Sequence, residues 1–303
     1  MEIVVHHKIS DLYKTLGLSF TQEIDFTILS VPAIHPQIPF KSPILKADYF
    51  SFILTKQGSG VYWLDDNKFP FNSQSIYFTN PGHLKSYELF DSKEALIVVV
   101  SENFLRDYVH PEIYEEFPFL LAEIVPPKQL GKYDFDEFDA LYNQLLKEFK
   151  KDSAYKNKIL GNICSILLLK IKEKFWVNYN PIEEGKRDSQ IVKSFKRLLD
   201  VEFKLLPDNK AVNTRLQVPY FAEKLSLHPN YLNSVIKSKT GITVYDWISK
   251  RTLSVAKSLL INTPHSSKEI AYLLGFTEPT HFSRFFKKQT HYSPNTFRKL
   301  YKT

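Results

Sequence analysis

The C-terminal part of the chain resembles itself at an offset of 49 to 50 residues. One unit runs FAEKLSLHPNYLNSVIKSKTGITVYDW from Phe221, and a second runs IAYLLGFTEPTHFSRFFKKQTHYSPNTF from Ile270. A period of this size means that one supersecondary unit is built twice. Ala222 aligns with Ala271, Leu225 with Leu274, and Ser226-Leu227 with Gly275-Phe276. After a one-residue difference in the turn, Leu232 aligns with Phe282, Val235-Ile236 with Phe285-Phe286, Lys237 with Lys287, Thr240 with Thr290 and Trp247 with Phe297. Each unit reads as two short helices at a steep angle: a small alanine lets the second helix come close, Ser226 or Gly275 reverses the chain, and the apolar residues lock the second helix down.

The other face of each second helix is polar. It carries Asn230, Asn233, Ser234 and Lys237 in the first unit, and Thr280, Ser283, Arg284 and Lys287 in the second. Amides, hydroxyls and a guanidinium are groups that read base edges in a major groove, and lysines beside them bind phosphate. Between the units, YDWISKRTLSVAKSLLIN reads as one helix of some 18 residues, roughly 27 Å long, against ~34 Å for one turn of DNA. Both second helices are therefore expected to meet one face of a double-stranded DNA.

Charge supports that partner. From Lys186 to Thr303 there are 21 Lys and Arg against 8 Asp and Glu, a net of +13, which leaves −6 of the total +7 for the preceding 185 residues. Such regional asymmetry points to a polyanion for one half only, nucleic acid ahead of membrane. A length of 303 residues implies two domains, and 43% hydrophobic residues exclude global disorder. Cys164 is the single cysteine, so no intramolecular disulfide forms; Met1 to Phe20 lack a secretion signal, and no stretch approaches the ~18 apolar residues of a membrane span. A cytoplasmic protein without membrane attachment is expected.

From about Ile24 to Val100 the chain reads as short strands, IDFTILSVP, DYFSFILT, GVYWLDDNKFPF, SIYFT and EALIVVV, separated by turn signals at Gly58-Ser59-Gly60, Asp65-Asp66-Asn67 and Asn80-Pro81-Gly82. These make a small antiparallel barrel or sandwich. Phe135, Phe138, Tyr142, Leu145 and Phe149 then mark an amphipathic helix. A second helix spreads Ile159, Leu160, Ile163, Ile166, Leu167, Leu168 and Ile171 around more than one face. Either a second copy of the chain covers the surplus, making the helices within 134–176 a homodimer surface, or both faces are buried within one chain. Cys164 lies in this stripe and packs. The fold class is α+β, with domains over 1–176 and 190–303 and a linker at 177–189.

The segment from about Val218 to Tyr301 resembles the DNA-binding domain of AraC/XylS-type transcription regulators, through Ile270-Ala271, Leu274-Gly275-Phe276, Phe282-Ser283-Arg284-Phe285-Phe286-Lys287, Ser293-Pro294 and Phe297-Arg298. The resemblance implies activation or repression of promoters through contact with DNA and RNA polymerase. His291 stands where the family usually has glycine, which points to a strained turn. Ser234 occupies the usual arginine position of the first unit. Arg251 resembles the arginine of the connecting helix, which either contacts phosphate or staples the units together.

More loosely, Ile38 to Val100 resembles the cupin-like barrel that many such regulators use to sense small-molecule effectors, on GSGVYWLDDNKFPF and TNPGHLKSYEL. Phe52, Lys56, Tyr62, Trp63 and His83 are the candidate effector-lining residues. No metal or other cofactor is expected, because the paired histidines and the glutamate that would complete a site with His83 are missing. The competing readings are a cupin-type isomerase or oxygenase, a DNA alkyl-transfer repair protein, which needs a reactive cysteine, and a constitutive architectural binder with a dimerising barrel. No catalytic residue is assigned.

Overall fold

Among the described residues of the first half, β-branched and aromatic residues form nine strands: β1 (Ile3–His6), β2 (Phe26–Ser30), β3 (Phe40–Lys41), β4 (Ile44–Ala47), β5 (Phe50–Leu64), β6 (Asn67–Phe71), β7 (Ser75–Thr79), β8 (Leu84–Val100) and β9 (Lys128–Gln129). Helices α1 (Ile9–Thr15) and α2 (Val31–Ile34) lie among them, and α3 (Glu102–Tyr108), α4 (Ile113–Glu116), α5 (Lys132–Phe149) and α6 (Lys156–Phe175) follow β8. The second half is helical: α7 (Arg187–Lys204), α8 (Val218–Lys224), α9 (Pro229–Thr240), α10 (Val244–Asn262), α11 (Ser267–Leu273), α12 (Pro279–Thr290) and α13 (Pro294–Tyr301). This computed structural model describes residues 3–20, 23–65, 67–122, 125–177, 187–205 and 216–301. The chain divides into two compact units, Met1–Glu184 and Gly185–Thr303. Asp66 of the expected turn, and 178–186 of the expected linker, lie outside the described residues.

The α+β architecture is the expected one, but the sheet is open rather than closed. Its strands run β1-β4-β8-β5-β7-β9, with β2 and β3 also on β8 and β6 on β5. All described pairs are antiparallel except β1 with β4. β5 and β8 pair from Phe50↔Val100 to Leu64↔Lys85, with register shifts between Thr55 and Gly60. Gly58-Ser59-Gly60, expected as a turn, is therefore an irregularity inside one 15-residue strand. The two strands approach too closely there for side chains: a Cβ on Gly58 would stand 2.7 Å from the Asp91 carbonyl oxygen, and one on Gly60 2.3 Å from that of Glu88.

Period-two alternation gives this sheet two faces. Phe50, Phe52, Leu54, Phe78, Val98 and Val100 pack with Phe138, Tyr142 and Leu145 of α5 and with Leu160, Ile163, Leu167 and Leu168 of α6 in the main core of this unit. Ile53, Tyr77 and Ala95 join Tyr62, Phe71 and Leu89 in a second cluster. Both faces of α6 are largely covered within the unit, and Ile166 and Leu169 remain 47% exposed. Gly161 explains how closely α6 lies to α3, since a Cβ there would come within 2.4 Å of the Tyr108 carbonyl oxygen.

The core of the second unit joins both repeats and α7, a helix not anticipated from the sequence. Ile191, Phe195, Leu199 and Phe203, four residues apart along α7, pack with Phe221, Leu232, Ile236 and Trp247 of the first repeat; Ile270, Phe282, Phe286 and Phe297 belong to the same cluster. Removing a fully buried ring such as Phe282 or Phe286 costs about 3–5 kcal/mol.

Candidate nucleic-acid interface and the cavity of the first unit

The two repeats are the same object at the level of single hydrogen bonds. α8 and α11 each have 7 residues, α9 and α12 each have 12, and both longer helices begin with proline, whose missing N–H costs nothing at a first turn. The turns between them pass through left-handed backbone at Ser226 (φ 55°) and Gly275 (φ 79°). At their far ends Gly241 (φ 83°) and His291 (φ 65°) are both left-handed, and their N–H groups donate to the carbonyls of Lys237 (2.9 Å) and Lys287 (2.8 Å). Thr240 Oγ1 donates to the Ile236 carbonyl, and Thr290 Oγ1 to that of Phe286, both at 2.8 Å. His291 thus carries in the second unit the backbone strain that glycine avoids in the first.

The spacing of apolar residues sets which face of α9 and α12 is wet. Leu232, Val235 and Ile236 are buried on α9, and Phe282 and Phe286 on α12. Asn230, Ser234 and Lys237 are exposed on one, and Thr280, Arg284 and Lys287 on the other. Ser283 is half-buried. Among the described residues none of Lys237, Lys239, Arg284, Lys287 and Lys288 has an ion-pair partner. The polar faces therefore carry cations free to meet phosphate. Tyr231 and His281, and Lys288 beyond them, share these faces and were missed from sequence; they stand three or four residues from Ser234 and Arg284, which is the signal that finds them.

Two expected contact residues lie elsewhere. Arg251 is 6% exposed, with Nε 3.9 Å from Asp200 Oδ1 and its guanidinium 5.7 Å from the ring centre of Phe203. It joins α10 to α7, because α7 covers that side of α10 with a carboxylate buried to 0% exposure, and at 6% exposure it has little surface to offer a phosphate. Asn233 is half-buried, and its Oδ1 accepts the Val244 N–H at 3.1 Å, so it satisfies a free donor at the start of α10 instead of standing on the wet face. Arg298 does a similar job at the other end of α10: its Nε donates to the Leu260 carbonyl at 2.8 Å and its Nη2 to that of His265.

In the first unit the strands enclose a cavity of about 100 Å³. Its wall includes Leu29, Val31, Ile53, Tyr62, Ala95 and Ile97, together with Lys85 and Thr79. Of the effector-lining candidates only Tyr62 is on this wall. Phe52 points to the opposite face of the sheet, its ring centre 5.6 Å from that of Phe78. Lys56 reaches outward to Glu94 (2.8 Å), Asp139 (2.6 Å) and Asn143 (3.2 Å), tying β5 to α5. Trp63 is flanked by Lys41 and Lys68, 5.8 and 5.6 Å from its ring centre. His83 Nδ1 pairs with Asp65 Oδ2 at 2.7 Å in a turn. Phe52, Lys56 and Tyr62 are even numbers of residues apart on β5 and would share a face in a regular strand; the register shifts between Thr55 and Gly60 reverse the alternation, so of the three Tyr62 alone turns to the cavity.

Burial pushes the Cys164 thiol up to about 12, so it is scarcely ionised and makes a poor alkyl acceptor. Among the described residues no group of three or more His, Cys, Asp and Glu is placed to hold a metal ion, and no helix is long and apolar enough to cross a membrane.

Residues 221–300 match the family model described as a helix-turn-helix domain. The uncharacterized HTH-type transcriptional regulator YfiF of Bacillus subtilis is 24% identical over 267 residues, 85% of this chain and 79% of its own length. The HTH-type transcriptional activator RhaR of Mannheimia succiniciproducens is 22% identical over 276 residues, 89% of this chain and 91% of its own. Among solved structures, the C-terminal domain of AraT, a response regulator from Geobacillus stearothermophilus, aligns with 39% of this chain and 91% of its own at 28% identity and a TM-score of 0.33. The repeated helix pair, its exposed cations and the matched family model agree: residues 221–300 are a helix-turn-helix domain, and the chain is a DNA-binding transcription regulator similar over most of its length to HTH-type regulators.

Proposed function

We propose that residues 190–303 bind promoter DNA by laying α9 and α12 into consecutive major grooves on one face of the duplex. The observation that carries this reading is the set of cations at equivalent repeat positions, Lys237 and Lys287, with Arg284 between Thr280 and Lys287 on the same exposed face. α10, with 19 residues, is about 28 Å long, close to the ~34 Å between successive major grooves. Arg284, Thr280 and Asn230 meet base edges; Ser234, Ser283 and the lysines contact phosphate and fix the register. Asn233 and Arg251 support these helices from behind.

Residues 1–176 sense a small-molecule effector in the cavity that Tyr62 lines and pair two copies of the chain, and the linker expected over 177–189 ends before Arg187, where α7 begins. The pairing surface is α6, where Ile166 and Leu169 stay exposed. The regulator acts in the cytoplasm, contacts RNA polymerase when bound, and carries out no catalysis. The test is fluorescence anisotropy on DNA from upstream of its own coding sequence, against scrambled duplex, from 50 to 300 mM salt. Tighter binding to the upstream DNA, with affinity falling linearly in log salt, is expected. Equal affinity for both duplexes rules the reading out.

A further inference from the structure

Lys85 does not fit the wall it stands on. It lies on β8, is 9% exposed, and lines the cavity with Leu29, Val31, Ile53, Ala95 and Ile97. Its Nζ donates to Thr79 Oγ1 at 2.9 Å and stands 5.3 Å from the ring centre of Tyr49. An ammonium has three donors, and among the described residues no carboxylate comes within ion-pair distance of this one. A buried charge left in that condition is costly, and burial accordingly pushes the Lys85 pKa down to about 7. Close by, the Tyr62 hydroxyl is also buried with no hydrogen-bond partner in the protein. Tyr62 pairs with Tyr87 across the β5–β8 ladder, two residues along β8 from Lys85 and on the same face of the sheet.

Resting on the effector reading above, we propose that this cavity binds a small monocarboxylate: an apolar body seated among the aliphatic residues and a carboxylate held by Lys85 Nζ, with the Tyr62 hydroxyl as a second donor. One cation matches one negative charge. A phosphate dianion would bury an excess charge, a polyol would set most of its hydroxyls against apolar side chains, and an ammonium would hold Lys85 in its neutral form and gain no ion pair from it. The size also limits the ligand, since a dry cavity of about 150 Å³ takes a benzene molecule and this one is about 100 Å³. Apart from the carboxylate, the body therefore has fewer than six carbons.

The test uses the full chain and three probes of one shape, hexanoate, hexan-1-ol and hexylamine, followed by calorimetry and by melting temperature. Hexanoate is expected to bind at least tenfold more tightly than hexan-1-ol, and hexylamine not to bind. At pH 8 hexanoate binding should take up close to one proton, because Lys85 is mostly neutral by itself and charged beside a carboxylate. Among the described residues, Asp48 favours the charged form of Lys85; Tyr49 and His6, whose own pKa burial lowers, stand near it, and Tyr62, Tyr77, Tyr87, His35 and Asp91 share the cavity wall. In Lys85→Met the preference for hexanoate should vanish while hexan-1-ol still binds. Equal binding of acid and alcohol to the wild type, no binding of hexanoate, or no proton uptake overturns the proposal, and none of these depends on the variant folding. DNA affinity with and without the probes separates the two readings. Hexanoate held by Lys85 that leaves DNA affinity unmoved overturns the effector reading and keeps the ligand class; hexan-1-ol that moves DNA affinity where hexanoate fails to bind does the reverse.

Discussion

Replacing Arg251 with methionine separates a residue that holds the DNA-binding unit together from one that touches DNA. Methionine keeps length and apolar character and removes the guanidinium, leaving the Asp200 carboxylate at 0% exposure without the cation beside it. Breaking one side of a buried pair costs about 3–5 kcal/mol. The 3.9 Å separation is at the outer edge of an ion pair and Asp200 keeps other contacts, so the lower end, about 3 kcal/mol, applies. At about 4 °C per kcal/mol for a unit of this size, its melting transition should fall by roughly 12 °C. Arg251→Met with Asp200→Leu should regain most of this loss, because the buried carboxylate is then removed together with the guanidinium. Scanning calorimetry of the full chain, with DNA affinity measured well below the transition, gives the answer. If Arg251→Met melts with the wild type and loses tenfold or more in DNA affinity, Arg251 is a phosphate contact and its assignment to α7 is wrong.

Arg284→Ala should leave the melting temperature unchanged, being exposed and without an ion-pair partner among the described residues, and should cost about 1–3 kcal/mol on the preferred DNA alone. Lys287→Ala should weaken binding to all duplexes alike and lower the log-log salt slope by about one, both readable by anisotropy. His291→Gly, which relieves a side chain at φ 65°, should stabilise the second repeat by roughly 0.5–1 kcal/mol, seen as slower hydrogen exchange along α12 and α13; faster exchange contradicts the strain argument. The first unit should gain stability as pH rises from about 7 towards 10.5, at up to about 1.4 kcal/mol per pH unit. In that window the unfolded chain holds a proton on Lys85 that the folded chain has released, and urea unfolding of Lys85→Met should lose the slope.

How much of the interface was legible follows from how local its determinants are. Helical spacing along α12 placed Phe282 and Phe286 inside and Arg284 and Lys287 outside, as the structure has them. The same spacing put Asn233 on the wet face of α9, but the loop leading into α10 brings the Val244 N–H up to its amide oxygen. α7 escaped notice although Ile191, Phe195, Leu199 and Phe203 repeat every four residues, and without α7 the burial of Arg251 cannot be inferred. In the first unit, β8 was read only over its last seven residues, because Lys85, Glu88 and Asp91 mask a strand whose other half borders the cavity.

By itself the sequence determined the twofold helical unit, the sign of its charge and the presence of a strand-rich half. These depend on period and composition, which each residue carries with it. Only the tertiary structure decided which polar groups face a partner. β5 and β8 bend where Gly58 and Gly60 let them meet, and that bend sends Lys56 outward while Tyr62 lines the cavity. Burial of Lys85 beside Thr79 and of Arg251 beside Asp200 arises between segments far apart in the chain. The desolvation that makes one a ligand handle and the other a structural staple is a property of that assembled surrounding, which no stretch of residues contains.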